Sequence, residues 1–290
     1  MEKETKEDFD IVEKLGKSVI QHGKYNDRIY LMKFDGADAS LFFERVPALV
    51  SEFGYSKIFA KVPGEYEGLF LENGFEKEAF VPGFYNGSVG AVFLSKYLTP
   101  ERKLQSEAVQ SEISGVLALA DREQPPSAAS LGEGYSISAL TTENAQGLAD
   151  LYKSVFKTYP FPVFDPAYIA ETMNSNIRYF GVWHKGRIVA ASSSEMDLKA
   201  ENVEMTDFAT VPGFLGKGLA YLLLDHMEAA MEKMNIKTFY TIARALSHGM
   251  NITFAKKGYK YAGQMINNTN IFGKLESMNV WHKSNPLPEM

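Results

Sequence analysis

The chain predicts an α/β (α+β) fold, a mixed and mostly antiparallel sheet flanked by helices, preceded by a smaller domain of related make-up. Three observations carry this. Short strand-like runs rich in β-branched and aromatic residues alternate with amphipathic helical stretches along the whole length, instead of segregating. Lys185-Gly186 joins two such runs as a hairpin turn would, so those strands lie antiparallel. The stretch "DREQPPSAASLGEG", Asp121 to Gly134, interrupts every period with prolines, glycines and small residues, and divides the chain into 1–130 and 131–290.

Bulk composition bounds the function. A hydrophobic fraction of 45% and an aromatic fraction of 13% in 290 residues suit a chain that buries a sizeable core. A formal charge of −6 argues against a nucleic-acid partner, which favours a basic excess. The absence of cysteine excludes disulfides, thiolate metal sites and cysteine nucleophiles. "MEKETKEDFD" is a charged lead-in with no apolar run behind it, unlike a signal peptide. Nor does any apolar run approach the roughly 18–20 residues that cross a bilayer. These features suggest a soluble, cytoplasmic protein with no metal, membrane or nucleic-acid partner, and leave monomer and homodimer both open.

In the first part, "RIYLMKF" (Arg28–Phe34) reads as a strand. "ASLFFERVPALVSEFG" reads as an amphipathic helix that Pro47 should kink or break. A strand "YSKIFAKV", a short helix "EYEGLFLENG" ending at Gly74, and two extended segments, "EKEAFVPGFYNG" and "AVFLSKYL", follow. In the second part, the strand "YSISAL" leads to Thr141 or Thr142, either of which can cap the helix "ENAQGLADLYKSVF". The aromatic, proline-rich loop "TYPFPVFDP" precedes a helix through "AYIAETMNS". Strands "RYFGVWHKG", "RIVAASSSEM" and "NVEMTDFATV" then lead to "VPGFLGKGLAYLLLDHM". There a glycine-rich turn opens a helix whose apolar residues, Leu219, Leu222, Leu223, Met227, Met231 and Met234, fall at helical spacing. The strand "KTFYTIARA", a short helix "MNITFAKKG" closed by Gly258, and the strands "YKYAGQMI" and "MNVWHK" complete the pattern. "KIFAKV…LFLENGFEKEAF" echoes "FYTIARA…TFAKKGYKYAGQ" as strand, short helix, Gly-aromatic and strand, which fits a divergent duplication.

The glycine turn marks a site for an anion, because the first N–H groups of a helix lack intrahelical partners and carry partial positive charge. A P-loop does not fit: Gly213 stands two residues, not four, before Gly216-Lys217, and Gly218 replaces the required hydroxyl. A dinucleotide fingerprint fits poorly, since Tyr221 takes the place of its third glycine. "LGKGLA" instead resembles the acyl-CoA pyrophosphate loop of the GNAT acetyltransferases, with Gly218 and Ala220 at that family's small positions. Leu215 departs from it, because Arg or Gln is usual there. The order of elements from Tyr135 to Lys283 resembles a complete GNAT domain, and the first part resembles a degenerate one. "NITFAKKGY", Asn251 to Tyr259, resembles the family's second signature, with Phe254 where many members carry a tyrosine acid.

This resemblance implies acetyl-CoA as cosubstrate, held by Phe208, Ala209, Thr210, Leu215, Gly216, Lys217, Gly218, Leu219, Ala220 and Asn251, with backbone amides near Ala209 and Thr210 on the thioester oxygen. It implies Glu204 as general base, with neighbouring Asp207 as the other carboxylate. Period-2 alternation puts those two on opposite faces of the strand. Tyr240 and Tyr221 are the replacements available for the missing acid.

For the acceptor, Tyr159, Phe161 and Phe164 can flank an aliphatic stem, with Asp165 near its cation. "SVIQHGKYNDRIYLMK", "YSKIFAKVP", "PGFYNG" and "YPFPVFDP" together resemble the β-lysine N-acetyltransferases over nearly the whole length. That likeness implies acetylation of the side-chain (N6) amine of β-lysine to a zwitterionic compatible solute. It adds Tyr85 and Asn86 as acceptor residues, and Arg28, Arg178 and Arg244 as candidates for the substrate carboxylate. Transfer to another small amine (lysine or a polyamine) and a non-catalytic acyl-CoA-sensing module stay open as alternatives.

Overall fold

The computed structural model describes residues 9–122 and 130–285. Residues 1–8 of the charged lead-in and 123–129 of the proline-rich junction therefore lie outside the described residues. The strands are β1 (Ile11–Leu15), β2 (Ser18–Gly23), β3 (Arg28–Lys33), β4 (Lys57–Pro63), β5 (Glu76–Tyr85) and β6 (Val89–Tyr97) in the first half. Those of the second are β7 (Tyr135–Ala139), β8 (Ile177–His184), β9 (Arg187–Asp197), β10 (Asn202–Thr210), β11 (Thr238–Arg244), β12 (Lys260–Ile271) and β13 (Lys274–Ser284). The helices are α1 (Ala39–Phe53), α2 (Glu67–Glu72), α3 (Pro100–Lys103), α4 (Glu107–Arg122), α5 (Ala145–Val155), α6 (Pro166–Met173), α7 (Leu219–Glu232) and α8 (His248–Lys256).

All these strands join one mixed sheet in the order β1-β2-β3-β4-β6-β5-β12-β13-β11-β10-β9-β8-β7. The two halves repeat one scheme. In the first, antiparallel strands lead to a parallel β3–β4 pair, then to β6 and β5; in the second they lead to a parallel β10–β11 pair, then to β13 and β12. The internal echo in the sequence spans the equivalent units β4-α2-β5 and β11-α8-β12. β5 and β12 meet antiparallel at Ala79 and Gly263, which places the halves back to back across a shared seam.

Side chains reinforce that seam. The buried Lys57 ammonium donates to Ile266 O at 2.8 Å and to Glu78 at 3.3 Å, while Ile266 N–H donates to Glu78 at 2.9 Å. Asn202 donates to Phe84 O at 3.0 Å, Thr238 to Gly83 O at 2.6 Å, and Asn86 N–H to Ala200 O at 2.7 Å. A central apolar cluster that includes Phe59, Phe84, Phe93, Tyr240, Met265 and Val280 draws on both halves.

Helices cover both faces as their apolar stripes require. α1 buries Phe42, Val46 and Leu49, and runs unbroken through Pro47 to a left-handed Gly54, φ 65°. The expected break is absent, because packing of that stripe holds the helix across the missing N–H. α7 buries Leu219, Leu223, Leu224, Met227 and Met231; Leu224 rather than Leu222 completes the stripe, and Met234 lies past the helix end. Ahead of α5, Thr141 N–H donates to Asn144 Oδ1 at 2.9 Å, which caps the turn entering that helix. β1, β2 and α4 are elements that carry no clear signal in the sequence; α4 packs on α8, and its Ala120 enters the core beneath α7. Among the described residues, no helix is long and apolar enough to cross a membrane.

Candidate active site

β10 and β11 pair only over Asn202–Glu204 and Thr238–Tyr240. Beyond that point β10 stays with β9 and β11 stays with β13, so the sheet opens into a slot whose apex is marked by Glu204 and Tyr240. The slot is part of a cavity of about 1440 Å³ lined by residues of both halves.

The glycine turn forms one end of this cavity. Pro212–Phe214 makes a single 3₁₀ turn, Gly216 and Gly218 adopt φ 75° and 72°, and α7 begins at Leu219. A Cβ at either glycine would meet no heavy atom within 4 Å, so the backbone conformation, and not crowding, demands glycine here. The α7 N-terminus thus points its first N–H groups at the cavity. Leu215, Gly216, Gly218, Leu219 and Ala220 line it, whereas Lys217 is exposed and does not.

The slot's β10 edge departs from simple alternation. Two residues, Asp207 and Phe208, oppose one residue of β9 between Thr206 and Ala209, and Asp207 takes φ 56°. This bulge shifts the parity of the strand. Phe208 turns to the α7 side, edge-on to Phe254 at 5.6 Å, where it still lines the cavity, and Asp207 joins Glu204 on the opposite face. The expectation of opposite faces is therefore corrected. Val211 N–H donates to Val189 O of β9 at 2.9 Å, so by alternation Thr210 N–H turns toward the slot. Ala209 is buried against α5, and Thr210 lines the cavity.

Glu204 sits between Glu195 of β9 and Tyr240 of β11 in register. Burial, then the adjacent Glu195, push its carboxyl up to about 8, against the pull of Lys61 and a hydrogen bond from Tyr240. Burial and Asp207 likewise raise Glu195. Asp207 accepts from the Tyr159 hydroxyl and from Ser193 Oγ at 2.5 Å; burial nevertheless holds its pKa above the ordinary range.

Several further expectations are met in part or corrected. Tyr159, Phe161, Tyr85 and Asn86 line the cavity, and Phe164 does not; it packs with α5 and α6. Asp165 caps α6, accepting from Ala167 N–H at 2.9 Å, and is not in the cavity wall. Asn251 is not there either. Its amide donates to Arg244 O at 3.0 Å and Ser247 O at 2.8 Å, and its oxygen accepts from Asn279 and Trp281, both at 2.9 Å. Every valence is used within the protein, where the side chain holds the α8 entrance against β13. Asn251→Ala should lower unfolding free energy by on the order of 3 kcal/mol in urea titration, because it orphans several buried partners.

Of the three arginines, Arg178 is exposed and away from the cavity. Arg244 lines the cavity and is paired with Glu276, at 2.7 and 2.9 Å. Arg28 lines the cavity, where burial pulls its guanidinium down to about 10, and donates to Asn268 O and Thr269. Phe254 is fully buried, and Tyr221 lines the cavity under the Lys257 ammonium.

Lys61, Glu195 and Tyr30 are cavity residues that motif and spacing do not single out. A signal for the first is nonetheless present: in "KIFAKVP" two lysines interrupt an otherwise buried strand, and a cation in such a place needs partners.

Residues 146–259 match the acetyltransferase (GNAT) family. The chain is 42% identical to the beta-lysine N(6)-acetyltransferase of Methanococcus maripaludis, over 92% of this chain and 96% of that one. It is 33% identical to the N-acetyltransferase YodP of Bacillus subtilis, over 92% and 95% of the two chains. Against the beta-lysine N(6)-acetyltransferase of Methanosarcina mazei it is 38% identical, over 52% and 56%.

Proposed function

Since the chain belongs to the GNAT acetyltransferases, in the family of the beta-lysine N(6)-acetyltransferases, we propose that it transfers the acetyl group of acetyl-CoA to the N6 amine of β-lysine. The observation that carries the chemistry is the Glu204 carboxyl at the apex of the slot, pushed up to about 8. A side-chain ammonium has a pKa near ~10.4, so at neutral pH almost none of it is nucleophilic. A carboxyl with a pKa close to the working pH is matched to accept and pass on that proton.

In this reading the diphosphate of acetyl-CoA rests on the α7 N-terminus, and the thioester lies along the open edge of β10. Glu204 takes a proton from the N6 ammonium, directly or through water. The freed nitrogen pair forms a bond to the thioester carbon while the carbonyl π pair moves onto oxygen, facing Thr210 N–H. Collapse restores the carbonyl and breaks the C–S bond, and the second nitrogen proton passes to water or to the departing sulfur. The thiolate leaves with the electron pair. A thiol pKa of about 8.5 lets it depart with little help, which suits a site where Phe254, buried and apolar, stands in the usual acid's place. Tyr159 and Phe161 flank the acceptor stem, and Tyr85 and Asn86 close the pocket from the first half. The product keeps one carboxylate and one ammonium, a net neutrality suited to a compatible solute.

Thiol release from acetyl-CoA, measured with β-lysine, α-lysine, spermidine and no acceptor, tests this. The expected result is the highest kcat/KM on β-lysine and no release without an amine. Equal or faster release with spermidine would replace the substrate assignment, and no amine-dependent release at all would leave an acyl-CoA sensor.

A further inference from the structure

Glu204 is surrounded by ionisable groups on every side. Glu195 faces it from β9, Asp207 from further along β10, Tyr240 from β11, Tyr159 from the loop before α6, and Tyr30 and Lys61 from β3 and β4 of the other half. Three of these groups are carboxyls once Glu204 itself is counted, and Lys61 is the cation that faces them. The Lys61 ammonium donates to the Tyr240 hydroxyl at 3.2 Å. Tyr240 lies opposite Glu204 in the parallel register, and its hydroxyl is among the groups that favour the charged form of that carboxyl. The ammonium also sits 5.3 Å from the Phe84 ring centroid and 5.4 Å from that of Tyr240, rings that themselves meet at 4.8 Å. Lys61 is thus held at the junction of the two halves by one aromatic ring from each.

We propose that Lys61, contributed by the first half, is a positioning residue that acts through Tyr240 to favour the charged form of Glu204 and to aim it into the slot. This rests on Glu204 being the base. The physical reason is charge balance. Two carboxyls side by side on neighbouring strands repel when both ionise, and burial penalises each. A cation reaching one of them through a hydroxyl favours the charged form, as does the hydroxyl's own hydrogen bond. Burial works against the charge on Lys61, but Tyr240, Tyr30 and Glu204 together hold it above the ordinary range, so it stays charged at working pH. The first half is then part of the proton-transfer machinery as well as a wall of the pocket.

The test is the pH profile of kcat/KM for β-lysine at saturating acetyl-CoA. Loss of an opposite charge at this range moves a pKa by about one unit or more. Lys61→Met should therefore shift the rising limb to higher pH by at least about one unit, lowering kcat/KM near pH 7 roughly tenfold. Lys61→Arg should restore the limb, and Glu195→Gln should move it the opposite way, to lower pH. A uniform fall with an unmoved limb in Lys61→Met would mean packing only and overturn the proposal. So would a raised KM for β-lysine with an unmoved limb and unchanged turnover of 1,4-diaminopentane, which lacks the carboxylate; Lys61 would then be a carboxylate ligand. If Lys61→Met fails to fold, seen as lost acetyl-CoA binding by calorimetry, Lys61→Gln, which keeps a polar partner for Tyr240 without the charge, is read instead: a limb moved to higher pH supports the proposal and an unmoved one overturns it. Should Glu204→Gln retain full turnover, the base assignment itself has failed, an outcome distinct from an unmoved limb in an enzyme that still needs Glu204.

Discussion

Glu204→Gln is expected to lower kcat by roughly 10²–10⁴-fold, the usual worth of a positioned general base, while calorimetry shows acetyl-CoA affinity little changed. The glutamine keeps the shape and the cross-strand position between Glu195 and Tyr240, so packing at the apex of the slot is preserved. What is lost is the ability to accept a proton. The pH dependence separates this from a binding defect. With the carboxyl pushed up to about 8 by burial and Glu195, the base is ionised only above that value, so kcat/KM should climb as pH rises through about 8. In Glu204→Gln that limb should vanish, leaving only the slower rise set by the substrate amine near ~10.4. Unchanged turnover at saturating substrate would move the role to Asp207 or to water.

Gly263→Val is expected to be the most damaging single substitution to stability. Gly263 is the residue of β12 that pairs with Ala79 of β5 at the seam, and it does so at φ 143°, a conformation that side chains with a Cβ rarely take. A Cβ there would lie 2.1 Å from Glu78 O and 2.7 Å from Ala79 Cα, so the strands of the two halves would have to part. Strain and lost pairing should cost on the order of 3 kcal/mol or more in urea unfolding. Because Lys61, Tyr85 and Asn86 reach the cavity from across this seam, kcat/KM should fall as well. Gly115, exposed in α4 and with no heavy atom within 4 Å of where a methyl would sit, is the control: Gly115→Ala should raise stability by about 0.5–1 kcal/mol. Equal effects at the two positions would show that the seam bears no special constraint.

Local chemistry makes the first parts of this protein legible. The glycine turn and the apolar stripe behind it are consecutive residues, so "VPGFLGKGLAYLLLDHM" reads as a helix start with its N–H groups free, and the structure has α7 beginning at Leu219. Hairpins and most strands follow from the same short-range rules of period and turn chemistry, whereas Glu204 is singled out by the family resemblance. Asn251 and Asp165 show the limit of reading by motif. Both residue types suit a ligand, yet one is consumed by Asn279, Trp281 and two carbonyls, and the other caps α6.

By itself, then, the sequence determined the kind of sheet, the glycine turn that opens α7, the family and the residue at the slot's apex, all written in neighbouring residues or in recurrent stretches. Only the tertiary structure decided that Asp207 shares a face with Glu204, since a bulge changes parity without changing composition. It alone brought Lys61 to Tyr240, across 179 positions of chain. Such contacts are set by how the two halves of the sheet meet at a seam, and the pairing of distant strands leaves no periodic trace in either strand.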